Sequence, residues 1–299
     1  MSTTNTGMNT GSGWMETLTG KSIPAQIVLA LTAALVLFIV LFSVETLIKT
    51  FNRYKSAKTF LVENTLLSNS ARVIRQNPAD RTSKLILPSE NELTGVEFTY
   101  SFFLYVEPAT INTVDTEVIL KQVFYKGYSQ PFPLLGPGVF IKGNSNSMRV
   151  FMNSYKNWYS YVDIDNIPLQ KWFHIALVFR SNSLEVYVNG NLKGRIDMTD
   201  TYPYQNYQDI IIFGGTPYPG GGGTIRSFSR TTGEPAERFR VGGPMSGQIS
   251  RLAHYRYALS FAEIQANVNE GPSSKVERSG DETYYNPNTL KDTWWTSGQ

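Results

Sequence analysis

The residues able to do chemistry are few. The 299-residue chain has no cysteine and two histidines, His174 and His254. Thiol nucleophiles, thiolate metal sites and disulfides are therefore excluded, and any reaction would rest on carboxylates, hydroxyls and backbone. Among the carboxylates at i, i+2 spacing are Glu90 with Glu92 and Asp163 with Asp165. Side chains two apart on a strand face the same way, so Asp163 and Asp165 share a face. Beside Asn166 and Pro168 they read as a solvated pair at a strand end, and Glu90 and Glu92 as loop residues. His174 sits mid-strand beside Trp172 with no acid or hydroxyl partner evident nearby, which predicts a hydrogen-bonded structural imidazole; the same expectation holds for His254. The glycine-rich run over 219–244 lacks the Gly-Lys-[Ser/Thr] of a phosphate loop, and no helix follows it. It predicts a long flexible insertion whose Arg226, Arg230, Arg238 and Arg240 form a contact arm for an acidic or protein partner.

Whatever these residues do, they are positioned behind an apolar segment near the N-terminus. Residues 22–44 carry no charge. At ~1.5 Å per residue a helix of that length reaches across a hydrocarbon core of about 30 Å. The expected anchor residues are Ile27, Leu31, Leu35, Phe38, Leu41 and Phe42. A cleaved signal peptide fits less well, because the stretch is long and no small-x-small cleavage site follows. Lys49, Arg53, Lys55 and Lys58 come just after it, against Glu16 and Lys21 before it. By the positive-inside rule the C-terminal bulk is expected on the cytosolic side, with the N-terminus translocated and the four cations at the membrane surface. The absence of cysteine and of any Asn-x-[Ser/Thr] sequon points the same way. A net charge of +3 is too small to make nucleic acid the partner.

The remainder alternates with period two. Phe98, Tyr100, Phe102, Leu104 and Val106 fall on one face of a strand; Phe173, Ile175, Leu177 and Phe179 form the apolar face of another, turning into Leu184, Val186 and Val188. Asn189 and Gly190 close that second strand as a hairpin turn. Ser260, with Glu263 three residues on, predicts a capped helix ended by Gly271 and Pro272. Many short strands with little helix predict a mainly β fold, a two-sheet antiparallel jelly-roll sandwich with a short C-terminal helix. The expected organisation is a polar tail over 1–22, a transmembrane helix over 23–44, a basic juxtamembrane connector over 45–67, the jelly roll over 68–272 and a tail over 273–299. That tail pairs Tyr284 with Tyr285 and Trp294 with Trp295, which predicts docking on a neighbour. Tyr155, Trp158, Tyr159 and Tyr161 form a second aromatic group, read as sandwich core or rim.

The run from Trp172 (W-x-H-x-A-L-V-F, then L-E-V-Y-V-N-G) resembles the central hairpin of the laminin G-like, concanavalin A-like lectin/glucanase superfamily. The run from Gly247 to Ile264 is similar to that family's closing strand and helix. The resemblance implies a jelly roll used for glycan binding, protein binding or, in some branches, glycoside hydrolysis. The hydrolytic branch carries Glu-x-Asp-x-x-Glu on one strand, and this chain has no Glu-x-Asp. A non-enzymatic protein is therefore expected, without a required cofactor. Family members often bind calcium; Asp163, Asp165 and Asn166 are the candidate ligands, although their spacing is not diagnostic. The expected function is a membrane-anchored interaction protein linking a bilayer to a protein assembly. By analogy alone, a minor capsid protein of a large DNA virus with an internal membrane would suit that description, its capsid proteins being the partners. A lectin-like module facing outward and gripping glycans is the alternative.

Overall fold

Alternating apolar and polar residues turn most of the chain beyond residue 57 into strands. The computed structural model describes residues 23–89, 91–92, 95–113, 118–127, 135–156, 160–198, 201–214, 224–228 and 235–277, with backbone alone for 23–25, 49–56, 91–92, 95, 224–228 and 235–240. Two units make up the chain, residues 1–56 and 57–299. The first contains most of helix α1 (Ile23–Ala57). Its apolar stretch Gln26–Ile48 is long enough to cross a membrane and has no buried side chain.

The second unit holds the strands. In chain order they are β1 (Lys58–Leu67), β2 (Arg72–Ile74), β3 (Asn91–Glu92), β4 (Gly95–Val106), β5 (Ile119–Lys126), β6 (Gly138–Lys142), β7 (Ser147–Met152) and β8 (Ser160–Asp165). There follow β9 (Trp172–Arg180), β10 (Ser183–Val188), β11 (Asn191–Asp197), β12 (Ile210–Ile212), β13 (Thr224–Phe228), β14 (Pro235–Pro244), β15 (Gly247–Tyr255), helix α2 (Phe261–Glu270) and β16 (Val276–Glu277). One sheet runs β11-β10-β9-β4-β15-β1-β16, with β3 paired to β4; the other runs β13-β14-β5-β6-β7-β8, with β12 bridging β5 and β2. Pairing is antiparallel except for β1 with β16 and β5 with β14.

The inner faces of the two sheets bury one another. Phe98, Tyr100, Phe102, Leu104 and Val106 of β4 join Phe173, Ile175, Leu177 and Phe179 of β9, as the alternation predicts, and meet Phe124, Val139, Ile141 and Val150 from the opposite sheet. Phe98 stacks on Phe179 with centroids 4.1 Å apart, and Phe102 meets Phe124 edge-on at 5.2 Å. Each such side chain contributes ~1.5–3 kcal/mol by leaving water. Helix α2 covers the outer face of the first sheet, placing Ile264, with Leu259 just before the helix, against Ala176, Val178 and Ala253. Its capping box forms as the sequence predicts, with Ser260 accepting from the Glu263 amide and Glu263 accepting from the Ser260 amide.

Three boundaries differ from expectation. Strand β1, with Lys58 at its start, pairs with β15 and so belongs to the sandwich, although residues 45–67 read as a connector. Three apolar residues in its alternation (Phe60, Leu61, Val62) blur the period, and only the partner strand reveals it. Residues 276–277 add a further strand, paired with Thr65 and Leu66, so the sandwich extends beyond residue 272. The glycine-rich run is not a flexible insertion throughout: β13 and β14 form a hairpin whose register sets Arg226 opposite Arg238.

Two turns require glycine. Asn189 and Gly190 have φ of 48° and 78°, the primed-turn geometry that matches strand twist. A β-carbon on Gly190 would lie 2.0 Å from Nε2 of Gln265 in α2, whereas one on Gly247 (φ 150°) would lie 2.0 Å from the Tyr105 carbonyl oxygen. The first obstacle is the end of a flexible side chain and the second is backbone. Gly190→Ala is therefore expected to lower stability by about 1–2 kcal/mol, and Gly247→Ala by more, measured as urea midpoints of the two variants. Equal losses would contradict this assignment of the two obstacles.

Candidate functional site

One polar position on the inner face is out of keeping with its neighbours. Two residues after Phe124, the same alternation turns Lys126 into the sandwich, where it is 6% exposed. Its Nζ donates to the carbonyl oxygens of Asn206 at 2.6 Å and Gln208 at 2.7 Å. Burial pulls the amine down to about 8, opposed by the negative charge of Asp209. Asp209 does not close on it as an ion pair; its carboxylate accepts from the Gln76 amide at 2.8 Å.

Across from Lys126, β15 contributes His254, 3% exposed. Its ring sits against Tyr100 at 4.9 Å and Phe98 at 6.1 Å. Nδ1 is buried with no hydrogen-bond partner among the described residues. Burial, then the charges of Lys126 and Arg256, hold the imidazole at about 3, so it is neutral. Between these groups lies a cavity of about 420 Å³, lined on its inner side by Phe98, Tyr100, Lys126 and His254. Its remaining wall is apolar and comes from Pro78, Leu85, Ile86, Leu87 and Pro88, with Gln205, Asn206 and Tyr207 at the side. The covering segment is tied down at both ends. The Gln76 side chain donates to Lys84 O and accepts from the Ile86 amide, while Gln205 donates to Ser89 Oγ at 2.8 Å and Arg256 to Pro88 O at 2.8 Å.

The outer face of the second sheet carries a separate ionic group. Arg149, 1% exposed, forms a two-pronged pair with Asp163 at 2.7 and 2.8 Å, and Lys142 reaches the same carboxylate at 2.5 Å. Burial pushes the Asp163 carboxyl up, but the hydrogen bonds and charges of Arg149 and Lys142 outweigh it and hold the group below the usual range. The Arg149 guanidinium also lies 4.0 Å from the Tyr161 ring centroid.

A family model described as the concanavalin A-like lectin/glucanases superfamily matches residues 79–265. The chain belongs to that superfamily. No curated protein matches it. Among solved structures, it is similar to the binding domain of Paraclostridial Mosquitocidal Protein 1, at 15% identity over 72% of this chain and 46% of that one, with a TM-score of 0.44. The receptor binding domain of botulinum neurotoxin mosaic serotype C/D gives 12% identity over 71% and 45%, with a TM-score of 0.45. Trypanosoma rangeli sialidase gives 14% over 60% and 24%, with a TM-score of 0.38. The chain thus spans less than half the length of each.

Within this superfamily fold the predicted site residues land as follows. Asp163 and Asp165 share the outer face, as their spacing requires, with Asp165 exposed and Asp163 half-buried. Asp163 is held by two cations and Asp165 accepts from Ser147 Oγ at 2.7 Å, so this donor set does not suit calcium. Asn166 follows in a left-handed turn, φ 56°. Among the described residues no three His, Asp or Glu side chains are grouped to hold a metal ion. Ile27, Leu31, Leu35, Phe38, Leu41 and Phe42 are exposed on α1. Lys58 starts β1 directly after α1, with Nζ 4.2 Å from the Phe60 ring centroid. Lys49, Arg53 and Lys55 are described only as backbone of α1; Arg226, Arg238 and Arg240 only as backbone of β13 and β14. Arg230, Trp158, Tyr159, Tyr284, Tyr285, Trp294 and Trp295 lie outside the described residues, as does Glu90.

The histidines divide. His174 has a hydroxyl partner after all, its Nε2 lying 2.8 Å from Ser101 Oγ. The Asn267 amide donates to the same oxygen, leaving the hydroxyl proton for the imidazole. This is a seam between sheet and helix, fully buried, and a serine–histidine pair without access. Both rings leave Nδ1 without a partner among the described residues, and His254, expected to be hydrogen-bonded, has that atom beside the cavity. Sequence reasoning passed over Lys126, although its place two residues after Phe124 in an apolar strand was a readable signal.

Both imidazoles stand below the unfolded value of 6.5, His174 at about 4 and His254 at about 3 through burial. The unfolded chain therefore takes up protons first as pH falls. Their contribution is complete above about pH 6.5 and is lost toward pH 4 and 3. Going from pH 7 to 4.5 is expected to remove a few kcal/mol in all, at ~1.4 kcal/mol per pH unit for each histidine. His254→Phe, which suits its aromatic neighbours, is expected to flatten the urea-midpoint profile over that window. An unchanged slope would show that His254 is not the group titrating.

Proposed function

We propose that the chain is a non-enzymatic, membrane-anchored interaction protein whose jelly roll, on the cytosolic side, links a bilayer to a protein assembly. The observation that carries this reading is α1. The helix has an apolar stretch of 23 residues with no side chain buried among the described residues, and lipid is the solvent that accepts such a surface. Lys49, Arg53 and Lys55 follow immediately, and this charge asymmetry supports a cytosolic jelly roll.

Two features support a protein partner. The register of β13 and β14 sets Arg226 opposite Arg238, with Arg240 two residues on. Like charges directly opposed weaken a strand pair unless an anion lies between them, so this ribbon suits an acidic surface. Near the cavity, Tyr155 and Tyr207 are 61% and 81% exposed, and Tyr155 packs edge-on against Tyr204 at 5.2 Å. Exposed tyrosines of this kind form contact hot spots. A viral capsid above an internal membrane is one assembly of the required kind. The same tyrosine rings can stack on sugars, which favours a second reading, a lectin-like module facing outward.

Protease added to the cytosolic face of sealed membranes is expected to digest the jelly roll without detergent; protection until detergent is added would overturn the cytosolic reading. A photo-crosslinker at position 207 is expected to give a discrete adduct of higher mass, and Arg226→Ser with Arg238→Ser to deplete it several-fold. Absence of any adduct, together with glycan-array binding lost in Tyr155→Ala, would decide for the lectin.

A further inference from the structure

The cavity beneath residues 76–88 combines three features that the sandwich itself does not use. Its floor holds a cation, Lys126, whose close partners among the described residues are the oxygens of Asn206 and Gln208. Beside the cation stands the His254 imidazole, 3% exposed, with Nδ1 unpartnered. Pro78, Leu85, Ile86, Leu87, Pro88 and Phe98 give the lining a continuous apolar part, with Gln76, Gln205, Asn206 and Tyr207 beside it. An unpaired polar group in such surroundings loses about 1–3 kcal/mol relative to a satisfied one. A buried ammonium without a carboxylate is more costly still.

A volume of about 420 Å³ is within the ~300–1,000 Å³ range of small-molecule sites. Its walls also define what fits. A sugar carries hydroxyls on every side; the Gln76, Gln205 and Asn206 side chains are already engaged with Lys84, Ile86, Ser89, Lys126 and Gln208, and Leu85, Ile86, Leu87 and Phe98 give those hydroxyls nothing to bond. A purely apolar occupant would leave Lys126 and His254 as they are. A bound organic cation would face Lys126 at close range. The remaining class has an apolar body and one anionic end, which brings the missing negative charge to the amine and a hydrogen-bond acceptor or donor partner to the imidazole. Entry does not require opening the paired strands, because the cover is residues 76–88, whose described ties to the sandwich are hydrogen bonds through Gln76, Pro88 and Ser89 and the packing of Ile86.

We propose that this cavity binds an amphipathic monocarboxylate, with the carboxylate at Lys126 and His254 and the hydrocarbon chain against Leu85, Ile86, Leu87 and Phe98. The site is separate from the arginine ribbon and does not depend on which side of a membrane the jelly roll occupies.

The test uses the full chain held in amphipol and three probes of equal chain length: dodecanoate carrying a ¹³C-carboxyl label, dodecanol and dodecyltrimethylammonium. Dodecanoate is expected to bind at least tenfold more tightly than dodecanol, given the strength of charged hydrogen bonds, roughly 1.5–3 kcal/mol, and dodecyltrimethylammonium not to bind. Lys126→Met is expected to abolish the difference between acid and alcohol. Leu87→Trp, placed in the cover and away from the cation, is expected to block both probes while leaving the thermal midpoint within a few degrees of the parent. If Lys126→Met does not fold, the probe series on the parent chain and on Leu87→Trp still decides. Equal affinity for acid and alcohol, binding of the cation, or undiminished binding to Leu87→Trp would each overturn the proposal.

Discussion

The mutual burial of two inner sheet faces governs the rest of this molecule. Side chains from β4, β9 and β15 interleave with those from β5, β6, β7 and β12, and the result is one continuous apolar layer. Because side chains alternate along a strand, committing one face to that layer commits the other to the outside. Each outer face then needs its own solution. On the first sheet it is α2, whose apolar side covers Ala176, Val178 and Ala253 and whose Asn267 accepts from Tyr255 and donates to Ser101. On the second sheet it is an aromatic group, Tyr125, Phe140 and Phe151, with Arg149 and Asp163 paired beside it. Where strand residues do not complete the inner layer, residues 76–88 complete it, and the cavity lies beneath them.

What was legible in the sequence is what depends on near neighbours. Alternation assigns the inner faces of β4, β9 and β10 correctly, Asn189 and Gly190 mark a turn whose φ values are both positive, and Ser260 with Glu263 marks a capped helix. The functional features rest instead on contacts between distant segments. Ser101 meets His174 across 73 residues, Lys126 meets Asn206 across 80, and Asp209 ties the covering segment at Gln76 across 133. No local pattern encodes these pairings, because they follow from sheet order. The misreading of 219–244 has a different cause. Successive glycines argue for loop, but Phe239 and Val241 alternate with Arg238 and Arg240, and a partner strand was available in β5. Tertiary pairing overrode composition there.

Two buried cations show how the same constraint yields opposite outcomes. Arg149 and Lys126 both lie on the second sheet and are almost wholly removed from water. Arg149 faces outward and meets a carboxylate in two-pronged geometry, the arrangement in which guanidinium and carboxylate satisfy each other. Its charge is neutralised within the fold. Lys126 faces inward and meets carbonyl dipoles, with the nearest acid, Asp209, engaged by a backbone amide. Carbonyl oxygens orient the amine without cancelling its charge. A methionine there would fill the position without that desolvation penalty, so stability alone does not account for a lysine. The same reasoning applies to His254, where a phenylalanine would extend the contacts with Phe98 and Tyr100 and leave no polar atom unsatisfied. Two adjacent positions that each forgo an available apolar solution, on either side of one cavity, distinguish a site from an accident of packing.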